Sequence, residues 1–284
     1  MTQITHWING ALDTQSSKRS GEVFNPATGK VTKTVAFADA ATVDRAVNAA
    51  TEAFTSWRHS SLTKRTQVLF AFRELVQQNK EKIAALITDE HGKVLSDAAG
   101  EVTRGLEVVE FACGIPHLLK GGFSEEVSSG VDVYSIRQAL GPVAIISPFN
   151  FPAMVPMWFF PTAIACGNTV VLKPSEKDPS AAMFLAELWK EAGLPDGAGG
   201  VFVQGGTLGN LSALVVARDV AERKHGHKTW AIICSSEAHS SIKAVAKVMG
   251  VSISTVKDIQ NTMKEYDSRN QHVQSKDKKM QEKG

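Results

Sequence analysis

The chain is poor in cysteine, with only Cys113, Cys166 and Cys234 among its 284 residues and no paired spacing between them. That excludes a disulfide framework and fits a reducing compartment. It also lacks charge imbalance: 31 Lys and Arg against 29 Asp and Glu leave a formal charge of +2. Global electrostatics therefore nominates no polyanionic partner. The opening residues, Met1-Thr2-Gln3-Ile4-Thr5-His6, show neither a basic n-region nor an apolar h-region. No secretory signal is expected, and a cytoplasmic location follows. The most telling absence is local: no Asp, Glu, Lys or Arg occurs between Arg137 and Lys173.

An uncharged apolar run of about 20 residues is the usual mark of a membrane span. Here Pro142, Pro148, Pro152, Pro156 and Pro161 interrupt it. Each proline removes a backbone donor and fixes φ, so no continuous lipid-spanning helix is expected. The pattern instead predicts a strand at Val143–Ser147, a buried helix from Ala153 to Cys166, and a second strand at Thr169–Lys173. Strands apolar on both faces belong in a parallel sheet covered by helices on each side. Ligands of such sheets sit at the carboxyl ends of the strands. Those ends carry Ser147-Pro148-Phe149-Asn150 and Lys173-Pro174-Ser175-Glu176.

Pro148-Phe149-Asn150-Phe151-Pro152, Ala165-Cys166-Gly167-Asn168-Thr169 and Leu172-Lys173-Pro174-Ser175-Glu176 stand in the order and spacing of the aldehyde dehydrogenase superfamily. With Met154-Val155-Pro156-Met157-Trp158 and Glu176-Lys177-Asp178-Pro179-Ser180, the chain resembles the CoA-acylating methylmalonate-semialdehyde dehydrogenase branch. Upstream the resemblance takes in Trp7-Ile8-Asn9-Gly10, Asn25-Pro26-Ala27-Thr28-Gly29 and Glu90-His91-Gly92-Lys93, and it runs to Gly197. It implies an NAD-dependent oxidoreductase ancestor. It also implies that Asn150 is the oxyanion donor, that Lys173 and Glu176 hold the adenosine ribose of NAD, and that Ser147, Phe149 and Lys177 line the dinucleotide. CoA and a semialdehyde would be the partners of an active form. Taken singly, Asn150 reads equally as a turn residue, and Ser175 as the cap of a helix beginning in Lys-Pro-Ser-Glu.

Aldehyde oxidation in that family requires a cysteine nucleophile and a glutamate base in a downstream Gly-rich stretch, and neither motif occurs in these residues. Cys113, expected in a helix running to Leu119, and Cys166, before a Gly-Asn turn, read as inert buried thiols. No nucleophile and no metal ligand set is identified. The expectation is a catalytically incomplete chain in which NAD binding is weak or vestigial.

From Gly199 the pattern changes. The stretch 199–250 resembles a fragment of the pyridoxal-phosphate-dependent group II decarboxylases, with Gly205-Gly206-Thr207 matching a phosphate cradle and His239 the ring-stacking histidine. A cradle of this kind uses close backbone N–H groups at a helix start. The Schiff-base lysine motif is missing, so Gly206, Thr207 and His239 are expected as vestiges and pyridoxal phosphate as no working cofactor. A strand at 201–204, a helix at 208–224 and a strand at 230–234 would preserve the βαβ period and complete the sheet across the Gly197 junction.

Beyond Gly250 large apolar residues thin out, and 251–284 is expected to be a helical or disordered tail. Ala246, Gly250, Val256 and Ile259 have helix-turn-helix spacing, and 246–260 resembles the recognition region of pogo- and centromere-protein-B-type domains. One alternative function is an active CoA-acylating semialdehyde dehydrogenase in which another thiol, such as Cys234, substitutes for the nucleophile; a second is DNA binding or interaction through this helix-turn-helix-like segment, although its mixed charge speaks against a nucleic-acid partner. Apolar spacing predicts helices at 41–57, 62–80, 82–90 and 95–119. The expected whole is α/β: a truncated Rossmann-like parallel sheet of aldehyde dehydrogenase type, with flanking N-terminal helices. Its parts are 1–197, 198–250 and 251–284. Exposed apolar surface and unpaired strand edges are expected to cause self-association or aggregation.

Overall fold

The computed structural model describes residues 2–15, 19–197, 199–202, 231–234 and 252–255. The chain divides into two compact units, Met1–Gly209 and Asn210–Gly284. The first begins with short strands β1 (Thr2–Ile4), β2 (Trp7–Ile8) and β3 (Ala11–Leu12), followed by β4 (Arg19–Asn25) and β5 (Lys30–Phe37). A tight turn joins β4 and β5: the Asn25 side chain accepts from the Ala27 amide at 3.0 Å, and Gly29 supplies a positive φ of 66°. These two strands pair antiparallel, and β1 joins β5 in parallel.

Four helices follow: α1 (Ala40–Trp57), α2 (Leu62–Gln78), α3 (Lys80–His91) and α4 (Leu95–Cys113), with a short turn of helix, α5 (Ile115–Leu118). Their starts are written locally. Asp39 accepts from the Thr42 amide at 2.8 Å and Ser61 from the Lys64 amide at 3.1 Å, each satisfying an otherwise orphaned N–H. Gly92, at φ 88°, ends α3 in the left-handed conformation that glycine tolerates best. The helix predicted at 95–119 is broken at Gly114, so Cys113 closes α4. A hairpin comes next, β6 (Phe123–Ser128) and β7 (Val131–Tyr134), exposed along both strands.

The central sheet holds β8 (Pro142–Ile146), β9 (Thr169–Lys173) and β10 (Gly199–Phe202) in the order β10-β9-β8, all parallel. Helix α6 (Met154–Ala165) connects β8 to β9, and α7 (Ser180–Glu191) connects β9 to β10. The run free of charge is thus strand, helix, strand, as its prolines require. Side chains of β9 alternate between two apolar clusters. Val170 and Leu172 enter the main core, and Val171 packs with Ala38, Val43 and Ala46 beside α1. Both faces of β9 are therefore covered, whereas Ala144 and Ile146 of β8 are exposed. In the main core Phe72 of α2 stacks on Trp189 of α7, centroids 3.7 Å apart and planes within 3°. Phe160 of α6 meets both edge-on, at 5.7 and 5.5 Å.

In the second unit β11 (Ala231–Cys234) pairs in parallel with β12 (Ser252–Thr255). The helix-turn-helix reading puts 252–255 at the start of a second helix; a strand stands there instead. The alternation of Val251, Ile253 and Thr255 is a period-two, β-branched pattern that suits a strand better. The helix expected at 208–224, the Gly205-Gly206-Thr207 turn and His239 lie outside the described residues. No helix among the described residues is long and apolar enough to cross a membrane.

Candidate functional site

Parallel pairing sets Ile146 opposite Lys173, so the tails of β8 and β9 leave the sheet side by side. The Ser147 amide donates to the Lys173 carbonyl at 3.0 Å, extending the ladder by one rung, and the Ser147 hydroxyl lies 3.5 Å from the same oxygen. The Lys173 side chain is only 8% exposed and faces Glu176 at 3.7 Å. Burial pulls its ammonium below the usual lysine range, and Glu176 offsets part of this. The pair combines a donor with spare N–H groups and a half-open acceptor.

Glu176 and Lys177 occupy a turn, because the Ser175 hydroxyl accepts from the Lys177 amide at 3.0 Å. Ser175 caps no helix; α7 starts at Ser180. Lys177 swings back over the Phe149 ring, 4.7 Å from its centroid, joining the two tails. Five sequence-predicted positions, Ser147, Phe149, Lys173, Glu176 and Lys177, are thus gathered on one edge.

Asn150 follows Phe149 at the surface, and its backbone is anchored from below. Lys93 donates to the Asn150 carbonyl at 2.7 Å, pairs with the fully buried Glu101, and lies 4.0 Å from the Phe151 ring centroid. The other Glu101 oxygen accepts from the amides of Ala153 and Met154 at 3.0 and 3.2 Å. Helix α6 has no capping side chain of its own, so Glu101 satisfies its orphaned donors from across the fold. Nothing among the described residues engages the Asn150 side-chain amide.

Beside this edge is a cleft of ≈ 450 Å³ whose lining includes Phe24, Pro26, Glu90, His91, Phe149 and Asp178. His91 stacks obliquely on Phe149 at 6.2 Å, and burial lowers its pKa. Glu90 is buried, pairs with Lys33 at 2.7 Å and accepts from the Ser180 amide at 2.9 Å, capping α7. Asp178 is buried as well, and its carboxyl is pushed up to about 7. Desolvation is the main cause; contact with Ser175 opposes it, and the nearby charges of Glu90, Glu101 and Glu176 reinforce it.

The cysteines lie elsewhere. Cys113 is buried at the end of α4, and Cys166 is half-buried rather than enclosed. Burial raises the pKa of both thiols. Cys166 precedes β9 at the amino edge of the sheet, whereas Asn150 lies past the carboxyl end of β8. Five-residue strands separate these edges by roughly 16 Å. Cys234 is the last residue of β11 in the second unit.

Sequence reasoning did not give roles to Lys93, Glu101, Glu90 and Asp178. Lys93, Glu90 and Asp178 stand inside motifs that carried the resemblance, and that was their only signal. Among the described residues, no cluster of three or more His, Cys, Asp or Glu is arranged to hold a metal.

A match to the aldehyde dehydrogenase family extends over residues 12–222, running past Gly197. A malonate-semialdehyde dehydrogenase of Pseudomonas aeruginosa is 51% identical over 197 residues, covering 69% of this chain and 39% of that protein. An acylating mitochondrial methylmalonate-semialdehyde dehydrogenase of Arabidopsis thaliana is 46% identical over 218 residues, covering 77% of this chain and 36% of its own length. Among solved structures, methylmalonate-semialdehyde dehydrogenase from Oceanimonas doudoroffii superposes with a TM-score of 0.74 at 45% identity, covering 90% of this chain and 50% of that one. An NAD complex of a protein described as a methylmalonate-semialdehyde dehydrogenase from Sinorhizobium meliloti gives 0.75 at 40% identity, with the same coverage. The chain therefore spans about two-fifths of the length of these sequence relatives and half of the structural ones. The central parallel sheet, the polar residues gathered at its carboxyl edge and these matches lead to one conclusion: the chain belongs to the aldehyde dehydrogenase family.

Proposed function

We propose that this chain carries the cofactor-side wall of a CoA-acylating semialdehyde dehydrogenase, binds NAD weakly and, by itself, oxidises no aldehyde. The observation that supports NAD binding is the Lys173–Glu176 pair at the carboxyl edge of β9. Its chemistry fits a ribose diol: the ammonium donates to one hydroxyl and the carboxylate accepts from another. Ser147 and Phe149 border the same edge, with Lys177 held near it by the Phe149 ring. When bound, NAD supplies the hydride acceptor. What the chain adds is orientation, through the Lys173–Glu176 pair, and a hydrogen-bond donor in Asn150.

Asn150 is read as the donor to an oxyanion formed as a thiolate adds to a carbonyl. Removing such a donor typically costs about 3 to 4 kcal/mol. The proposed catalytic incompleteness rests on the position of the thiols: Cys113 is buried and Cys166 is on the opposite edge. Residues 199–250 are read as a vestigial decarboxylase-like stretch on the strength of Gly206, Thr207 and His239 alone. The family match to residue 222 competes for its first part.

The test is a thermal melt with NAD. A rise in Tm at millimolar NAD, lost in Lys173→Gln/Glu176→Gln, is the expected result; no shift removes the NAD assignment. In parallel, NAD, CoA and methylmalonate semialdehyde should give no increase in NADH absorbance. Sustained NADH production would overturn the claim of incompleteness, and its loss in Cys234→Ala would identify the nucleophile.

A further inference from the structure

The opposite edge of the sheet carries a second polar cavity, remote from Lys173 and Asn150. Its volume is ≈ 280 Å³, and its polar lining comprises Arg58, His59, Arg65, Arg137 and Gln138, with the Cys166 thiol beside them. Among the described residues, no carboxylate borders it. Arg65 is buried and fixed: Nε donates to Ser60 Oγ at 3.0 Å, Nη1 to the Ala165 carbonyl at 3.3 Å, and Nη2 to the Arg58 and Ser60 carbonyls at 2.9 and 3.0 Å. It thereby fastens the carboxyl ends of α1 and α6. Of its five N–H groups, one on Nη1 remains.

Capping those helix ends accounts for Arg65 but not for its neighbours. Arg58 and Arg137 are exposed, and among the described residues neither forms an ion pair. Arg45 and Arg73, by contrast, pair with Asp13 at 2.6 Å and Glu110 at 2.7 Å. Two helix carboxyl termini contribute about half a negative charge each. Three guanidinium groups exceed that, leaving a local surplus of about two positive charges. In a chain whose formal charge is +2 overall, this is a concentration with no carboxylate among the described residues that line the cavity.

We propose that this cavity binds a small phosphate-type oxyanion, held by Arg58 and Arg137 above Arg65, with His59 and Gln138 as further donors. Guanidinium forks match the oxygens of such an anion pairwise. The volume leaves room for inorganic phosphate or for the phosphoryl end of a small monoester. The assignment is independent of NAD binding.

The test is isothermal titration of the full chain with inorganic phosphate, and separately with glycerol phosphate, chloride being adjusted to keep ionic strength constant. Saturable binding is expected, at least tenfold weaker in Arg58→Gln/Arg137→Gln and unchanged in Lys30→Gln, which removes the same charge elsewhere. Should the double variant fold poorly in a chloride melt, Arg137→Gln alone is expected to weaken binding several-fold. Binding of both ligands identifies a phosphoryl site, and binding of phosphate alone identifies a free-anion site. No saturable binding, equal binding by the arginine variants, or competition between phosphate and NAD would overturn the proposal.

Discussion

The Lys93 ammonium sits between the fully buried Glu101 carboxylate and the Asn150 carbonyl, so one charge pair ties helix α4 to the loop that follows β8. Removing one partner of a buried pair leaves the other charged and unsatisfied, which costs about 3–5 kcal/mol. Glu101→Ala is therefore expected to lower stability by that amount, because the Ala153 and Met154 amides lose their acceptor as well. Urea denaturation monitored by circular dichroism measures it; a loss below about 1 kcal/mol would mean that water replaces the carboxylate.

Asp178 gives the fold a pH dependence of unusual sign. Its folded-state pKa is raised from 3.8 to about 7. Between these values the native state holds a proton that the unfolded state has released, so stability falls as pH rises. Below about pH 4 the effect is absent, and above about pH 7 the full penalty applies, on the order of 4 kcal/mol at most. Asp178→Asn should flatten this slope and raise Tm at pH 8 more than at pH 5. An identical pH profile for the variant would show that Asp178 does not titrate in this window.

Thiol reactivity should follow burial. With both pKa values raised, Cys113 and Cys166 should alkylate slowly with iodoacetamide at pH 7, Cys113 the more slowly because it is enclosed. Peptide mass spectrometry resolves the two. Rapid modification of Cys166 would reveal an activated thiol and weaken the assignment of catalytic incompleteness.

The three-ring core is expected to dominate stability of the first unit. Phe72 and Trp189 are both buried, stacked, and shared between α2 and α7. Phe72→Ala should cost about 3–5 kcal/mol. A loss near 1 kcal/mol in chemical denaturation would imply that Trp189 and Phe160 collapse into the gap.

The β6–β7 hairpin presents Phe123, Val133 and Tyr134 to solvent, at 67%, 51% and 73% exposure. Surface of this kind favours association. Light scattering of the full chain should show species above the monomer mass. Phe123→Ser with Tyr134→Ser should reduce them, and an unchanged distribution would place the contact elsewhere.

Much of this arrangement was legible in the sequence because it depends on short-range rules. Prolines spaced through an uncharged run forbid a membrane helix and leave strand, helix and strand. Apolar spacing marks the helices at 41–57 and 62–80, and five polar or aromatic positions follow two strand ends that a parallel sheet must bring together. Local rules were less reliable where a competing pattern existed. Gly114 ended a helix whose apolar spacing ran on to Leu119, and β-branched alternation at 252–255 took precedence over spacing borrowed from a helix-turn-helix unit.

The sequence by itself determined the strand-helix-strand at 142–173, its polar edge and the family, since each rests on residues close together in the chain, but not the strand at 231–234, which pairs with 252–255 instead of completing the central sheet. Only the tertiary structure decided that Glu101 caps α6, that Glu90 caps α7, that burial raises the Asp178 pKa, and that Arg58, Arg65 and Arg137 share one cavity. Those facts depend on desolvation and on charges brought together from distant positions. Burial and long-range Coulomb contact have no period in the sequence from which they could be read.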